Sequence, residues 1–453
     1  MRSKGLVAVL AGLLVFAVFA FYVPSAQAVN INSDGSISGT SNIRCDGNVY
    51  TLTGDVLYTI RIGRSNIVLD GAGYTVRPDN TVEAKGTGLL LLPGVNGVTI
   101  KNLNIKDFVG GMTLKGKDNA VSDCTIKDCS SGIWLNEAQG NIIKDNVYVN
   151  LNPGVRFSDS SGNQLRNNQF INSSIFTGID TEPNDIDPSN TIDGKPIHYI
   201  VNQSGLVISP KDYPEIGYLA LVDCANMTVR DLQLSGSPTS VGIILRGTTN
   251  STITHNYLSN FWQGISSTDS YGNLIMENYF KNNQEFALSI SATTPNTITN
   301  NTFEDNKVGI YISGSNQIIY HNNFLNNTKH VDSADWSPLN RLDPSYAVHV
   351  WDNGYPSGGN YWSGINATDA DGDGIYDEAY VLTSGNRANM DRYPLAQPAV
   401  TSEFTEASGS ATEIPPSFPI LPLLIAIACA ATIAIGAFAV YRAKRKPTFG
   451  GLS

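Results

Sequence analysis

Short apolar units recur along this chain at a nearly constant spacing. A six-residue motif occurs nine times, with an aliphatic residue first, usually a polar residue third, and an aromatic or aliphatic residue sixth. Successive first residues lie 21–24 positions apart, except for one gap of 64. The nine motifs span residues 100–105, 121–126, 143–148, 165–170, 229–234, 253–258, 275–280, 298–303 and 319–324. A repeat of this kind predicts a solenoid.

A second apolar unit, which begins with glycine, follows many of the motifs. Examples are residues 132–135, 154–157, 242–245 and 309–312. The units are separated by Asn, Gly, Asp and Ser, and no stretch among them is long or periodic enough for a helix. We therefore predict an all-β fold, a parallel β-helix with coils of about 22 residues. A leucine-rich repeat has a similar period, but its L-x-x-L-x-L signature is absent.

The repeats divide the central part of the chain into three segments. Residues 29–64 are expected to cap the first coil, residues 65–330 to form the β-helix, and residues 331–397, rich in Trp, Gly and Asp, to cap the last coil. The 64-residue gap is close to three periods. The solenoid is therefore expected to continue through atypical coils and a loop insertion at about 180–225.

Asparagine dominates the fourth position of the motif. It occupies that position in Asn146, Asn168, Asn256, Asn278, Asn301 and Asn322. Asn tolerates the bend that a coil needs, and amides stacked in register can bond from coil to coil. We interpret this column as structural. Cys124 fills the same position in another coil and is predicted to be buried in the same way.

The two ends of the chain predict export and a membrane anchor. Residues 1–28 have the basic start, apolar stretch and A-x-A ending of a secretory signal, with an uncleaved anchor helix as the alternative. Residues 420–441 carry no charge and precede a basic tail, 442–453, as in a transmembrane helix with a cytoplasmic stop. Residues 398–419 are expected to form a flexible stalk. The predicted location is the outer face of the cell membrane.

The charge balance argues against nucleic acid as a partner. Six of the 29 basic residues lie at the ends, in 1–28 and 442–453, where there is no acidic residue. Residues 29–419 therefore carry 23 basic and 40 acidic residues, a net charge of −17. Nucleic-acid-binding proteins concentrate positive charge instead. Cations, neutral glycans and basic surfaces remain possible partners.

Four cysteines lie ahead of the predicted membrane helix. An even number would permit two disulfides in an oxidising compartment, while buried thiols are the alternative. The four are Cys45, Cys124, Cys129 and Cys224. Their spacing does not match a zinc site.

Paired carboxylates on adjacent coils are the candidate catalytic groups. The third motif position holds Asp123 and Asp145 in consecutive coils, so their side chains are predicted to project about 5 Å apart. That separation is compatible with glycoside hydrolysis or with a calcium-assisted lyase. Asp107 and Asp128 form a second such pair. The alternative is structural, because acidic residues at bends accept backbone N–H bonds and neighbouring lysines balance their charge.

An acidic loop near the end of the repeats predicts a structural calcium site. Carboxylates on alternate residues, a following glycine and a further Asp match most of a calcium-binding loop. The predicted ligands are the side chains of Asp369, Asp371, Asp373 and Asp377 and the carbonyl of Ile375. Tyr380 stands where an EF-hand would place Glu, which indicates modest affinity and not a sensor. A solvated acidic turn is the alternative.

Three stretches of the sequence resemble NosD-like right-handed β-helix proteins. These are residues 66–73, residues 192–197 and, most specifically, the Trp/Tyr/Gly-rich motif at 351–362. The resemblance covers roughly residues 45–397. It implies right-handed coils and a relationship to a periplasmic accessory protein of copper-site maturation, and also to carbohydrate-binding and sugar-hydrolysing β-helices. Copper is nevertheless not expected, because the His and Met residues of this chain form no cluster in the sequence.

Three functions remain open from the sequence. The first is a cell-surface β-helix that serves as a binding or scaffold surface, most plausibly for glycans, because a rigid row of repeated side chains matches an extended polymer. The second is a polysaccharide lyase or glycoside hydrolase that uses Asp123 and Asp145. The third, an accessory factor for metalloenzyme assembly, is implied by the resemblance alone.

Overall fold

The computed structural model describes residues 28–79, 85–175, 184–333, 348–382 and 389–400. Within these ranges the chain forms short strands and no helix. Residues 1–27 and 401–453 lie outside the described residues, and with them all but the last residue of the predicted signal segment, most of the stalk, the transmembrane helix and the basic tail. No described residue belongs to a helix that could span a membrane.

The strands are two to nine residues long and follow one another at each turn of the coil. In chain order the first are β1 (Ala28–Ile31), β2 (Ile37–Ser38), β3 (Ile43–Asp46), β4 (Val49–Leu52), β5 (Val56–Leu57), β6 (Thr59–Ile62), β7 (Val68–Asp70), β8 (Thr75–Arg77), β9 (Thr87–Leu91), β10 (Thr99–Lys101), β11 (Asn104–Lys106), β12 (Gly110–Lys117), β13 (Ala120–Ser122) and β14 (Thr125–Lys127). They are followed by β15 (Ser131–Gln139), β16 (Ile142–Lys144), β17 (Val147–Val149), β18 (Val155–Ser158), β19 (Gln164–Arg166), β20 (Gln169–Ile171), β21 (Asp185–Ile186), β22 (Thr191–Ile192) and β23 (Lys195–Val201).

The later coils continue in the same way. Their strands are β24 (Val207–Ile208), β25 (Tyr218–Val222), β26 (Thr228–Arg230), β27 (Gln233–Ser235), β28 (Val241–Arg246), β29 (Thr252–Thr254), β30 (Tyr257–Ser259), β31 (Gln263–Thr268), β32 (Leu274–Met276), β33 (Tyr279–Lys281), β34 (Phe286–Ala292), β35 (Thr297–Thr299), β36 (Thr302–Glu304), β37 (Val308–Gly314), β38 (Ile318–Tyr320), β39 (Asn323–Leu325), β40 (Lys329–Asp332), β41 (Tyr361–Trp362), β42 (Tyr380–Val381) and β43 (Met390–Asp391).

Five sheets form the walls of the coils, and nearly all of their strands are parallel. Sheet A has the order β18-β15-β12-β9-β6-β1-β2, and sheet B the order β21-β19-β16-β13-β10-β7-β4-β3. Sheet C runs through the whole series as β40-β37-β34-β31-β28-β25-β23-β22-β20-β17-β14-β11-β8-β5. Sheets D (β24-β26-β29-β32-β35-β38) and E (β27-β30-β33-β36-β39-β41) join it in the later coils. The predicted parallel β-helix is thereby confirmed.

The interior contains the apolar positions of the predicted motif. Ile100, Val121, Ile143 and Leu165, the first residues of four motifs, are register partners on adjacent coils and are fully buried. The sixth motif position stacks in the same way and ends in an aromatic column. There the ring centroids of Phe303 and Phe324 are 5.1 Å apart. Burial of such columns is the main favourable term in folding.

Buried asparagine amides form ladders at the corners, as predicted. The side-chain amide of Asn146 donates to Oδ1 of Asn168 at 3.0 Å and to the carbonyl of Val121 at 3.1 Å. The same bonds recur from coil to coil. Other corners carry equivalent ladders that the sequence analysis did not identify, one of them through Asn119, Asn141, Asn163 and Asn184. The ladders satisfy backbone groups that would otherwise be buried without a partner.

The long gap in the repeat contains a change in the arrangement of the sheets. Strands β22 and β23 pair antiparallel, while β20 pairs with β22 and β23 pairs with β25 in the parallel sense. Sheets A and B end before this hairpin, and sheets D and E begin after it. The buried apolar residues divide into two clusters in the same region. Only sheet C is continuous across it.

The tryptophan-rich module covers the last coil. Trp362 pairs through β41 with β39, and its ring stacks on Phe324 at 4.4 Å. Trp351 and Trp362 are both 1% exposed. The carboxylate of Asp391 accepts hydrogen bonds from the Trp362 indole at 2.9 Å and from the backbone N–H of Asn360 at 2.7 Å. The module therefore closes the apolar column of the coils.

The four cysteines ahead of the predicted membrane helix are free thiols. Cys45 is exposed, and Cys124, Cys129 and Cys224 are buried. Burial raises the pKa of Cys124 to about 12. The Cys124 thiol donates to the carbonyl of Ser122 at 3.2 Å, which confirms its prediction as a buried member of the ladder column.

Candidate functional site

The predicted pair Asp123 and Asp145 lies at the corner where sheet B turns into sheet C. Register pairs on both sides of the corner place the two residues on adjacent coils. Their φ angles are 55° and 58°, a left-handed conformation that Asp and Asn adopt more easily than most residues. The structure thus brings the two residues together on neighbouring turns.

Both carboxylate oxygens of Asp145 contact neighbouring side chains at this corner. Its Oδ1 accepts a hydrogen bond from the Asn167 amide at 3.2 Å, and Lys144 lies 3.7 Å from its Oδ2. In an earlier coil the amide of Asn102, a member of the same column, donates to Oδ1 of Asp70 at 3.1 Å, although Asp70 lies at the end of β7 and not in the column. These bonds are those expected of a structural column of bends. They do not select one carboxylate as an acid and the other as a base.

The second carboxylate pair lines a shallow cavity of about 430 Å³, wide open to solvent, where sheet C turns into sheet A. Asp107 and Asp128 both contribute to its wall, and the Asn150 amide donates to Oδ1 of Asp128 at 2.9 Å. Burial raises the pKa of the Cys129 thiol, which also lines the cavity, to about 11. A neutral thiol is a poor nucleophile, so the carboxylates are the reactive candidates here. The complete lining is Lys85, Asp107, Phe108, Val109, Asp128, Cys129, Ser130 and Asn150.

An outward row of side chains on sheet A begins a few residues beyond this cavity. Register partners place Arg61, Leu90, Thr113, Trp134 and Arg156 side by side on five consecutive strands. Trp134 is 37% exposed, so it faces outward and is not a core residue. Strand alternation explains the result, because Ile133 and Leu135 on either side of it point inward.

Two contacts hold the Trp134 indole on this face. Its Nε1 donates to Oγ of Ser158 at 3.0 Å, and the guanidinium carbon of Arg156 lies 5.6 Å from its ring centroid. An indole and a guanidinium in this arrangement attract each other. The partly exposed ring is thereby oriented before any ligand arrives. The sequence analysis did not identify Arg156, although the 22-residue period would have aligned it with Trp134.

The acidic loop brings together three of the five predicted calcium ligands. One carboxylate oxygen from each of Asp369, Asp371 and Asp373 lies within 4.8 Å of the others. Asp377 instead accepts a hydrogen bond from the Ala370 N–H at 3.1 Å. Ile375 lies opposite Leu395 in an antiparallel bridge, and the backbone hydrogen bonds of this bridge are made by the residues next to each of them.

The donor set does not fit copper. Within the described residues, this acidic loop is the one place where three His, Cys, Asp or Glu side chains converge. Carboxylate oxygens suit hard cations such as Ca²⁺, whereas copper sites use imidazole, thiolate or thioether groups. His255 is bound instead to Glu277 at 3.0 Å, and His321 contacts the carbonyl of Ser357 at 2.7 Å.

In the capping module, burial and hydrogen bonding act in opposite directions on the pKa values of two aspartates. Burial raises the pKa of Asp391 to about 6, although three hydrogen bonds to its carboxylate act in the other direction. Burial also acts to raise the pKa of Asp352, but hydrogen bonds from Arg392 outweigh it and hold this pKa below its usual value. Arg392 binds both oxygens of Asp352, at 2.7 and 2.9 Å. Both carboxylates are therefore held by hydrogen bonds within the cap.

Solved structures with coils of this kind resemble the chain only distantly. A periplasmic alginate epimerase mutant is 11% identical, with 71% of this chain and 76% of that one covered and a TM-score of 0.31. DFA-IIIase from Arthrobacter chlorophenolicus A6 is 13% identical, with 78% and 88% covered and a TM-score of 0.26. The catalytic unit of a GH87 α-1,3-glucanase from Streptomyces thermodiastaticus strain HF3-3 is 15% identical, with 70% and 64% covered and a TM-score of 0.27. At these values the similarity says nothing about the activity of this chain.

Family models give a clearer assignment. No curated protein matches the chain significantly. Residues 178–367 match the family described as periplasmic copper-binding protein (NosD), and residues 41–208 match the right handed beta helix region. These two overlapping matches, together with the parallel coils, confirm the resemblance to NosD-like right-handed β-helix proteins that the sequence motifs indicated.

Proposed function

We propose that this protein binds polysaccharide along the outward face of sheet A and acts there as a binding or scaffold surface. The observation that supports the proposal is the position of Trp134, a partly exposed indole already oriented by Ser158 and Arg156. Aromatic rings of this kind stack on the apolar faces of sugars. Adjacent strands repeat at about 4.8 Å, which gives a long, rigid row suited to an extended polymer.

Affinity electrophoresis of the full chain in gels that contain soluble polysaccharides tests this proposal. At least one polymer is expected to retard the protein, and Trp134→Ala is expected to weaken that retardation at least tenfold. Trp262→Ala is the matched control, since Trp262 is 39% exposed but lies ahead of β31, away from sheet A. The proposal fails if no polymer retards the protein, or if both variants weaken binding equally.

A polysaccharide lyase or glycoside hydrolase is the second candidate function. The supporting observation is the cavity that Asp107 and Asp128 share with Lys85, because paired carboxylates in a cleft are the groups that such chemistry uses. Asp123 and Asp145, the pair predicted from the sequence, lie at a different corner. Release of new sugar ends from the polymers that bind, lost in Asp107→Asn or Asp128→Asn and retained in Asp123→Asn, would favour the cavity. The reverse result would favour the predicted pair, and no release would leave the binding role alone.

Export and a single C-terminal membrane span complete the proposal. The support is the signal-like start, the uncharged stretch 420–441 and the basic residues after it. The third candidate function, in metalloenzyme assembly, has only the family description in its favour. Protease added to intact cells is expected to release a soluble fragment that ends in the stalk, 398–419. Recovery of the β-helix only from the cytosol would contradict the anchor.

A structural calcium ion in the acidic loop is a further part of the proposal. Its support is the convergence of Asp369, Asp371 and Asp373, which repel one another unless a cation neutralises them. The carbonyl of Ile375 would complete part of the shell. Calcium is expected to raise the thermal unfolding midpoint of the full chain relative to EDTA, and Asp371→Ala to abolish that difference. Equal midpoints in calcium and EDTA would mean that the loop holds no ion.

A further inference from the structure

The strands of sheet A are basic in an otherwise acidic protein. The seven strands that the structure describes in this sheet contain four basic residues, Arg61, Lys115, Lys117 and Arg156, and one acidic residue, Glu137. By contrast, residues 29–419 as a whole carry 40 acidic and 23 basic residues. The strands of sheet A therefore carry a local excess of positive charge, as the strands of sheet C do, and in sheet A this excess lies on the face that carries Trp134.

Several basic side chains on the other faces have carboxylate partners. Lys101 lies 3.3 Å from Asp70 on sheet B, and Lys106 lies 3.7 Å from Asp107 on sheet C. Arg166, also on sheet B, contacts two aspartates. Among the described residues, none of the four basic side chains in sheet A forms such an ion pair. None of these four cations is therefore held in an ion pair within the described residues.

Two of these basic residues carry guanidinium groups and lie at opposite ends of the row that contains Trp134. Arg61 and Arg156 are four strands apart in register, which corresponds to about 19 Å at the usual strand spacing. Trp134 lies directly beside Arg156. Lys115 lies two residues beyond Thr113, on the same side of the strand. A polymer can contact the whole row at once, whereas a single sugar cannot.

The cavity aspartates limit where a ligand of negative charge can lie. Asp107 and Asp128 precede the first residues of β12 and β15, at the edge of sheet A. Trp134 lies three residues farther along its strand than Ser131, the strand's first residue. An anionic chain is therefore repelled at the corner and attracted along the row.

We infer that the polysaccharide bound by sheet A is anionic, and that Arg61 and Arg156 bind its acidic groups while Trp134 stacks on a sugar ring between them. Guanidinium groups bind carboxylates and sulfates through paired N–H donors, and the unpaired charge of the face supplies complementarity. The inference rests on the proposed polysaccharide-binding function and adds the class of ligand.

A matched pair of polymers tests the class of ligand. Polygalacturonate and the same polymer after reduction of its carboxyl groups differ only in charge, and dextran sulfate with dextran forms a second pair. The full chain is expected to bind polygalacturonate or dextran sulfate at least tenfold more tightly than the neutral partner, and whichever pair discriminates identifies carboxylate or sulfate. Binding is expected to weaken as salt rises. Monomeric galacturonate is expected to compete poorly.

Arginine variants test the residues. Arg156→Gln and Arg61→Gln are each expected to weaken binding of the anionic polymer at least fivefold, with unchanged thermal midpoints. Arg230→Gln is the control, since Arg230 is similarly exposed but lies on sheet D and is paired with Asp231 at 2.8 Å. The inference is overturned if the neutral polymers bind equally well, or if all three arginine variants behave alike. The first of these results would leave polysaccharide binding intact, whereas binding of no polymer would remove both proposals.

Discussion

At the scale of single residues, asparagine has two separate roles in this protein. Buried Asn side chains such as Asn278 link adjacent coils through paired amide bonds. Exposed Asn and Asp residues such as Asn167 and Asp123 instead supply the left-handed backbone of the corners. Both roles follow from a short amide or carboxylate close to the backbone. The composition alone does not separate them, but the position in the motif does.

Loss of one ladder amide should destabilise the fold strongly. Asn278 donates to the carbonyl of Ile253 at 2.8 Å, and its Oδ1 accepts from the backbone N–H of Asn256 at 3.0 Å. Asn278→Ala leaves these groups buried without partners, at a cost of about 2–4 kcal/mol. Chemical denaturation of the full chain measures the change. Gln233→Ala, at an exposed strand position, is the control and should change stability by less than about 0.5 kcal/mol. Equal losses would show that the ladder contributes no special stability.

At the scale of elements, much of the coil and the existence of a C-terminal cap could be predicted, whereas the bonds that hold the cap could not. The first and sixth motif positions, such as Ile143 and Tyr148, are buried as the spacing indicated. The side on which Trp134 lies was not predictable from its strand alone, because a glycine-rich strand of three apolar residues fits either orientation. The bonds of Asp391 and Asp352 in the cap depend on residues 30 to 40 positions away, which no short-range pattern reveals.

The candidate site was predicted in the same uneven way. The stacking of Asp123 and Asp145 followed from the period, because equivalent positions of a solenoid are neighbours in space. The cavity at Asp107 and Asp128 did not, since its volume depends on how the corner and Lys85 are arranged. The row that places Arg61, Trp134 and Arg156 on one face of sheet A was also missed. It becomes visible only when the residues of each face are grouped by register.

The cap should lose stability as pH rises through the range in which Asp391 ionises. Its pKa of about 6 in the folded protein lies above the value of about 4 for an unfolded chain, so its contribution is complete below pH 4 and is lost as pH rises to 6. The difference corresponds to about 2–3 kcal/mol. Asp352 has a lowered pKa, so its contribution is lost only as pH falls and lies outside this window.

The measurement is the unfolding free energy of the full chain between pH 4 and pH 6.5. Asp391→Asn should remove the decline assigned to this group, and Asp269→Asn, at an exposed corner, should retain it. The comparison uses the pH dependence and not the absolute stability, since the amide of the introduced asparagine also disturbs the three N–H groups that donate to the Asp391 carboxylate. The same slope in wild type and Asp391→Asn would contradict a raised pKa.

At the scale of the whole molecule, the coils are near-equivalent units with nearest-neighbour contacts. Thr252 and Leu274 are register partners on adjacent coils, so residues 252–273 make up one full turn. Repeat proteins of this kind tolerate the loss of a unit when the register is kept.

Deletion of one full turn should therefore leave a folded protein. Removal of 252–273 is expected to give a cooperative unfolding transition at a somewhat lower midpoint, because the new neighbours present the same inward positions. Removal of only 252–262 places strands opposite corners and should abolish the transition. Circular dichroism and thermal scans of the two deletions decide the matter. Comparable folding in both would contradict a strict register.

The hairpin formed by β22 and β23 has a consequence for how this architecture can evolve. Sheets A and B end before it and sheets D and E begin after it, while sheet C alone is continuous. Duplication of a coil before the hairpin would lengthen sheet A, the proposed ligand surface, without altering the tryptophan-rich cap. Duplication after it would extend the other faces and leave the Trp134 row as it is. Evolution can thus change the length of the ligand surface without changing the module that closes the solenoid.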